Sequence, residues 1–305
     1  MSDRGIFTRA QAGSLVPSGL PMVANLSGFT DAGSTILQLE NHLFETLDTE
    51  LVVEFENDEL LDYRSRRPLM YFDKDHIADY EPEQLGIYLC TDDANQQFLY
   101  LSGYEPDLKW DAFTEAVSEF CTEFAVSSFT WVHSIGFPIP HTRSLGVTVS
   151  GNRPDLIEQF SEWKPQTQVP GNILHLLEYK LSKLKIPTCG FVLLVPHYLA
   201  EAEFPATALR AVELLMSATD LVLPSDALRD SNREFLSKLN KQVSENDDLA
   251  KMITSLENGY ANEKTGPIRT PIRLQENRMP TADEIANELE AFLAKKSQDP
   301  EQDQS

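Results

Sequence analysis

The sequence predicts a three-layer α/β/α domain with a helical appendage at its carboxyl end. Short apolar runs alternate with amphipathic stretches between residues 20 and 220, which is the pattern of an α/β protein. Residues 191–195 (FVLLV) are apolar without interruption, as in a strand that is buried on both faces. We therefore place this strand at the centre of the sheet. Strand signals end at Pro224, so the rest of the chain is predicted to be helical.

The first α/β unit begins with a strand at residues 20–26 and a turn at residues 28–33 (GFTDAG), bounded by two glycines. Residues 34–47 predict a helix, because apolar residues recur along one stripe at steps of three and four. Loops at the carboxyl ends of such strands commonly carry the sites of α/β proteins. This turn is therefore the first place to look for a site.

The other elements of the domain follow from the same periodicities. Further strands are predicted at residues 51–55, 69–72, 86–90, 98–101, 129–135 and 147–149, and further helices at 110–124, 154–163, 173–184 and 209–216. The highly charged stretch 56–68 is predicted to be irregular, and the Pro-rich stretch 136–143 is predicted to be a loop.

The chain is predicted to have four parts. They are an amino-terminal arm at residues 1–18, a core domain at 19–224, a helical appendage at 225–298 and a disordered tail at 299–305. Within the appendage, we expect a long helix from residue 226 to about 256 and a mobile loop at 258–279. A last helix is expected to open with the capping box at 281–284 (TADE).

The composition limits the classes of partner. The chain has 305 residues and a formal net charge of −23, so nucleic acid and anionic membranes would repel it. Residues 31–123 contain 23 acidic and 5 basic residues, which predicts a solvated acidic surface or a docking face for a basic partner. Cys90, Cys121 and Cys189 have no metal-ligand spacing, so we expect no disulfide, metal or cofactor. Without an apolar leader or a membrane-length segment, we expect a cytoplasmic protein.

Asp31 is the first candidate site residue. It can cap the helix that follows, by accepting hydrogen bonds from the free amides of the first turn, or it can orient a ligand hydroxyl or a water molecule. The turn matches no nucleotide motif, because residues 28–33 read GxxxxG rather than GxGxxG and no lysine follows Gly33.

Arginines and histidines supply the other candidates. Arg67, with Arg64 and Arg66, can pair with Asp58, Glu59 or Asp62, or can form a clamp for an anion. The remaining candidates follow strands and are His141, Arg143, His197 and Tyr198. If those strands are parallel neighbours, Asp31 and both histidines lie at one edge of the sheet, as an acid–base pocket requires. The histidines can equally be buried struts. No motif for a nucleophile is present.

Six short motifs occur in order within residues 20–220. They are residues 28–33 (GFTDAG), 67–68 (RP), 103–106 (GYEP), 140–143 (PHTR), 170–171 (PG) and 195–200 (VPHYLA). With these motifs the chain resembles the proteasome assembly chaperone family. The likeness is to relatives of its second chaperone subunit, and most closely to the bacterial, actinobacterial-type branch.

The resemblance implies an α/β/α domain of the phosphorylase/hydrolase-like kind, seen also in purine nucleoside phosphorylases. Family members in eukaryotes and archaea act as chaperones for proteasome subunits and form dimers or higher oligomers, and no catalytic residues carry over from them. Many such chaperones end in a hydrophobic residue, a tyrosine and any residue, whereas this chain ends in residues 303–305 (DQS). Docking through that tail is therefore not expected.

Three hypotheses follow. In the first, the chain is a non-enzymatic homo-oligomer, dimer or trimer, that binds a proteasome-related protein. In the second, it is an enzyme or binder of a small molecule with a nucleoside-phosphorylase-like fold and a pocket at the strand ends. In the third, it is a structural oligomer whose histidines support subunit interfaces.

Overall fold

A mixed sheet forms the middle layer of the protein, which we describe from a computed structural model over residues 5–10, 16–162, 164, 166 and 168–263. The strands are β1 (Phe7–Arg9), β2 (Pro21–Ser27), β3 (Asp48–Phe55), β4 (Leu69–Asp73), β5 (His76–Glu81), β6 (Leu85–Thr91), β7 (Gln97–Tyr104), β8 (Ser128–Phe137), β9 (Val147–Gly151) and β10 (Thr188–Pro196). Eight of them form the main sheet in the order β1-β3-β6-β7-β2-β8-β10-β9, whereas β4 and β5 form a separate hairpin. Strands β7, β2, β8 and β10 are parallel to one another.

Helices cover both faces of this sheet. They are α1 (Thr35–Thr46), α2 (Asn57–Leu60), α3 (Trp110–Glu123), α4 (Pro154–Phe160), α5 (Ile173–Lys183), α6 (Pro205–Thr219), α7 (Asp226–Ser244) and α8 (Asp247–Glu263). One apolar core joins α1, α6 and α7 to one face of the sheet, and a second core joins α3 and α5 to the opposite face. The predicted three-layer α/β/α class is confirmed.

Alternation along the strands separates the two cores. In β2, Val23 belongs to the core beneath α1, whereas Met22 and Ala24 belong to the core beneath α3. Successive side chains of a strand point to opposite faces, so a strand that is apolar throughout supplies both cores. All three cysteines are buried and free, and Cys121 lies in the α3 core as an ordinary apolar residue.

Contrary to the prediction, the strand at residues 191–195 does not lie at the centre of the sheet. It belongs to β10, which is the second strand from one edge, between β8 and β9. Its residues are nonetheless buried, apart from the partly exposed Val192, because helices of both layers cover it. Burial of both faces of a strand shows that helices cover the sheet on both sides. It does not show how far the strand lies from the edge of the sheet.

Several predicted boundaries differ from those observed. The long helix predicted from residue 226 is interrupted after Ser244, because Asn246 Oδ1 accepts hydrogen bonds from the amides of Asp248 and Leu249, at 3.1 Å each, and caps a new helix. That helix, α8, continues through residue 258, where a loop was predicted to begin. The elements missed by the sequence are β1, α2 and β5.

Two elements bear on the division of the chain. β1, within the predicted arm, pairs with β3 at the edge of the sheet, and α7, within the predicted appendage, packs into the α1 core through Leu228 and Leu239. The rest of the predicted loop, the capping box at 281–284, the last helix and the tail lie outside the described residues.

Candidate functional site

The carboxyl ends of β7, β2, β8 and β10 meet at one edge of the sheet, because these four strands are parallel. At this edge the chain leaves β2 for α1 on one face, whereas it leaves β7 for α3 on the opposite face. Divergence of neighbouring loops marks the position where open α/β sheets commonly bind ligands. The predicted candidates Asp31, His141 and His197 follow β2, β8 and β10, so all three lie along this edge.

Asp31 caps helix α1. Its carboxylate accepts hydrogen bonds from the amides of Ile36 at 2.8 Å and Leu37 at 3.3 Å, which satisfies donors that have no partner within the helix. The Ser134 hydroxyl of β8 donates to the same carboxylate at 3.2 Å. The capping role predicted from the sequence is confirmed, and the carboxylate also ties the β2 turn to β8.

Other residues of the turn after β2 also contact strand β8. The Thr30 hydroxyl donates to the Ser134 carbonyl at 3.3 Å and lies 3.1 Å from His133 Nε2. The Phe29 ring stacks on the His133 ring, with 5.3 Å between centroids. Burial, with a smaller contribution from His175, lowers the pKa of His133 to about 4, so this imidazole is neutral at neutral pH.

Gly28 makes room for an arginine. A Cβ atom at Gly28 would lie 2.3 Å from the Arg66 guanidinium, and the backbone φ of +127° is one that side chains rarely adopt. Arg66 pairs with Asp107 at 3.3 Å and lies over the Tyr104 ring, 5.4 Å from its centroid. This arginine links the turn to the loop after β7.

Arg67, the arginine named from the sequence, lies elsewhere. Its side chain is exposed, and it has no hydrogen bond or ion pair within the described part of the chain. Arg64 pairs with Asp62 at 3.6 Å, which is one of the loop pairings predicted as the alternative to a clamp. The three arginines therefore do not converge on a common anion site.

His141 and Tyr198 connect the loop after β8 to the turn after β10. The Tyr198 hydroxyl accepts from the His141 amide at 2.7 Å and lies 2.7 Å from Nδ1 of the same residue. Burial lowers the pKa of His141, an effect opposed by Asn240 and Glu257, and burial raises the pKa of Tyr198. The exposed His197 ring meets the Tyr198 ring edge-on, with 5.5 Å between centroids.

Helix α8 is attached to the same loop. Arg143 donates from Nε and Nη2 to one Glu257 oxygen, at 2.8 Å and 2.6 Å, and the Thr142 hydroxyl donates to the other oxygen. These bonds to Thr142 and Arg143 lower the pKa of Glu257. Arg143 therefore serves as an anchor for α8.

The contacts divide the other five candidates into separate groups. Asp31 belongs to the contacts between the β2 turn and β8. His141, His197 and Tyr198 form a second group, and Arg143 binds Glu257 beside it. Among the described residues no side-chain hydrogen bond joins Asp31 to His141, His197 or Tyr198, although the Gly33 amide of the β2 turn donates to the Ala200 carbonyl after β10 at 2.7 Å. The Asp31 carboxylate and the Nδ1 atom of His141 are engaged in structural hydrogen bonds.

A buried polar group at the β2–β7 pair was missed from the sequence. Asn25 of β2 lies in register with Ser102 of β7 and accepts from the Tyr100 hydroxyl. Ser102 donates to Glu40 of α1 at 2.5 Å, and burial raises the pKa of this carboxyl. Asn25 interrupts an otherwise apolar strand, and that interruption was the available signal. Paired polar groups of this kind fix the register of neighbouring strands, since a shift would leave them unpaired.

Metal and membrane chemistry find no support among the described residues. No group of three or more His, Cys, Asp or Glu side chains in that part of the chain could hold a metal ion. Burial raises the pKa of all three thiols to about 12, so they are unreactive at neutral pH. None of the described helices is both long and apolar enough to cross a bilayer.

Comparison with known proteins gives one family and a set of similar structures. The model of the PAC2 family matches residues 26–243. A Mycobacterium tuberculosis protein of unknown function is 34% identical, with a TM-score of 0.80 over 87% of this chain and 92% of that one. A Corynebacterium glutamicum protein of unknown function is 30% identical, with a TM-score of 0.80 over 85% and 98%.

A more distant structure shares the fold. A Mycobacterium tuberculosis proteasome-assembly chaperone homologue is 19% identical, with a TM-score of 0.70 over 77% of this chain and 100% of that one. A search of the curated proteins gave no match.

Proposed function

Because the chain belongs to the PAC2 family, we propose that it is an oligomeric, non-catalytic interaction protein that acts as a chaperone for a proteasome-related partner. Two structures of the same fold support the choice of partner. One is the Mycobacterium tuberculosis proteasome-assembly chaperone homologue, and the other is Pyrococcus furiosus PbaB, described as an archaeal proteasome activator.

The main observation in support of the proposal is the set of hydrogen bonds between the turn after β2 and strand β8. An enzyme of this architecture needs an open crevice at this edge, with acid and base groups free to reach a substrate. Here Thr30 and Asp31 bond directly to β8, and Asp31 also holds the first turn of α1. A rigid edge, at which the β2 turn is bonded to β8, is better suited to binding another protein than to transforming a small molecule.

The surface offered to the partner is acidic. Twenty-three of the 28 charged Asp, Glu, Lys and Arg residues between positions 31 and 123 are acidic, so a basic surface would be attracted to it. We therefore place the partner on this acidic surface and expect its attraction to be screened by salt, since the Debye length shortens from about 10 Å at 0.1 M to about 3 Å at 1 M.

The test is direct binding. The full chain is mixed with purified proteasome α and β subunits from the same organism, and complexes are separated by size and identified by native mass spectrometry. We expect a stoichiometric complex with at least one subunit or assembly intermediate that weakens between 0.05 and 0.5 M NaCl. An unrelated acidic protein of similar net charge is the control for non-specific attraction. Failure to bind any subunit at either salt concentration would overturn the proposal.

A further inference from the structure

The helical layer that contains α1 does not extend over the whole of its face of the main sheet. On this face α6 packs against β10 and β8, and α1 packs against β2 and β8, so among the described helices none covers β6, β3 and β1. In β3, Val53 points to the α3 core and is buried, whereas Leu51 is half-buried and Glu54 is exposed. Leu51 lies opposite Tyr88 and Glu54 lies opposite Gly86, which places both on the α1 side.

This uncovered strip is the floor of a groove, and α1 is the wall. The Phe44 ring of α1 meets the Tyr88 ring edge-on, with 4.8 Å between centroids. Leu37 lies seven residues earlier on the same flank of the helix and is 48% exposed. The segment after α6 closes one end of the groove, because the Val222 amide donates to the Asp92 carboxylate at 2.7 Å, just beyond β6. The open part, which we call the α1–β3 groove, is formed by Leu37, Glu40, Phe44, Leu51, Glu54 and Tyr88.

The groove is acidic. Helix α1 and strands β3 and β6 contain no Lys or Arg. Burial raises the pKa of Glu40, the hydrogen bond from Ser102 opposes this effect, and repulsion by Glu83 adds to it. Burial also raises the pKa of Tyr88 to about 12, with smaller contributions from Glu40 and Glu54. The three carboxylates are therefore close enough to act on one another or on Tyr88, and the elements that form the groove supply no positive charge to balance them.

We propose that the α1–β3 groove binds a basic amphipathic helix of a partner protein, which continues the helical layer beyond α1. Three neighbouring strands span about 10 Å from the first to the third, and a single helix is about 10–12 Å in diameter. Apolar side chains of the bound helix pack on Leu37, Leu51 and Tyr88. Lys or Arg side chains beside them pair with Glu40 and Glu54.

Charge also distinguishes between possible occupants of the groove. A second copy of this chain carries a net charge of −23, so the acidic groove would repel it. A basic helix is attracted instead. The inference rests on the proposed function in taking this helix to belong to the basic, proteasome-related partner.

Two glutamates of β3 provide a matched pair of variants. Glu54 lies opposite Gly86 in the groove, whereas Glu50 lies opposite Leu89, which packs against the α3 core on the other face. Both glutamates are exposed, so Glu54→Lys and Glu50→Lys change the net charge equally and neither should unfold the chain. Circular dichroism melting checks that both variants fold.

The probe is a fluorescent peptide of about 14 residues, or four helical turns, with leucines on one face of the helix and lysines on the other. Fluorescence anisotropy measures its binding to the full chain, and a scrambled peptide of the same composition is the control. One helix buries less than the roughly 1,200 Å² of a standard interface, so we expect a dissociation constant on the order of 10 µM. Glu50→Lys should bind the peptide within about twofold of wild type, and Glu54→Lys should bind it at least about tenfold more weakly. The scrambled peptide should also bind wild type about tenfold more weakly.

Three results with the peptide would overturn the inference. They are equal binding by the two variants, equal binding of the helical and scrambled peptides, and no binding at 200 µM. Light scattering of the chain alone tests the other occupant, since a loss of molar mass confined to Glu54→Lys would show that a second copy fills the groove and would also overturn it.

Proteasome subunits, tested with the same variants, separate this inference from the proposed function. Subunits that bind wild type and Glu50→Lys but bind Glu54→Lys at least about tenfold more weakly would support both. Subunits that bind the two variants equally well would overturn the inference and leave the proposed function standing. Subunits that bind no form of the chain would overturn the proposed function, while the peptide still decides whether the groove takes a basic helix.

Discussion

At the scale of single residues, Asp31 illustrates a carboxylate whose position suggests chemistry and whose bonds show a structural role. Its oxygens hold the amides of Ile36 and Leu37 and the hydroxyl of Ser134. We predict that Asp31→Ala lowers the free energy of unfolding by about 1–2 kcal/mol, the usual effect of losing a helix cap. Asp31→Asn, which keeps an oxygen acceptor, should lose less than half as much. Urea denaturation measures both, and equal stability of Asp31→Ala and wild type would contradict the capping role.

His133 predicts a pH dependence of stability. Its pKa is about 4 in the folded chain, against about 6.5 for an unperturbed histidine. The unfolded chain therefore binds the proton first as pH falls, so the stabilisation is present above pH 6.5 and is lost between pH 6.5 and 4, by up to about 3 kcal/mol. Replacing this buried imidazole with a group that does not titrate, in His133→Gln, should reduce the loss over that range. Urea denaturation at a series of pH values measures the slopes, and identical slopes for the two proteins would contradict it.

Some roles in the candidate site depend on residues that are near in the sequence, and others depend on residues that are distant in the sequence. The role of Asp31 is local, since a capping residue and its helix are neighbours in sequence, and it could be predicted. The proximity of His141 to Tyr198 required strand order as well. Arg66 could not be distinguished from Arg67 by sequence, because the groups that select it, Asp107 and the Gly28 backbone, are about 40 residues away in either direction.

At the scale of elements, the periodic helices and apolar strands could be predicted, and the exceptions have physical causes. The three-residue β1 and the charged β5 present little apolar periodicity, because β1 lies at the sheet edge and β5 lies outside the main sheet. The interruption between α7 and α8 depends on Asn246, a residue that caps a helix or sits within one according to context. The position of β10 within the sheet depends on chain topology, which apolar periodicity does not encode.

The attachment of α8 to the β8 loop gives an element-scale prediction. Glu257 binds Thr142 and Arg143, and its side chain is 25% exposed. Glu257→Gln should loosen α8 and raise amide hydrogen exchange over residues 247–260 by about two- to fivefold, consistent with the modest strength of partly exposed ion pairs. Asp248→Asn is the control, because its partner Lys251 lies within α8 itself. Faster exchange in both variants, or in neither, would show that Glu257 does not anchor the helix.

At the scale of the whole molecule, two separate cores make the sheet rigid, while the acidic surface controls association. One core lies on each face of the main sheet, so loops at its parallel edge are fixed by elements of both layers. The residues of the β4–β5 hairpin belong to neither core. Net charge then acts on every contact with another molecule.

The final prediction concerns the effect of salt on the proposed partner contact. The chain carries a net charge of −23, so binding of a basic partner to the acidic surface is favoured by attraction that salt screens. The dissociation constant of that complex should therefore rise by roughly three- to tenfold between 0.05 and 0.5 M NaCl. Titration of the chain with the partner at a series of salt concentrations measures the constant. A constant that stays the same or falls as salt is added would show that charge attraction does not hold the partner on the acidic surface.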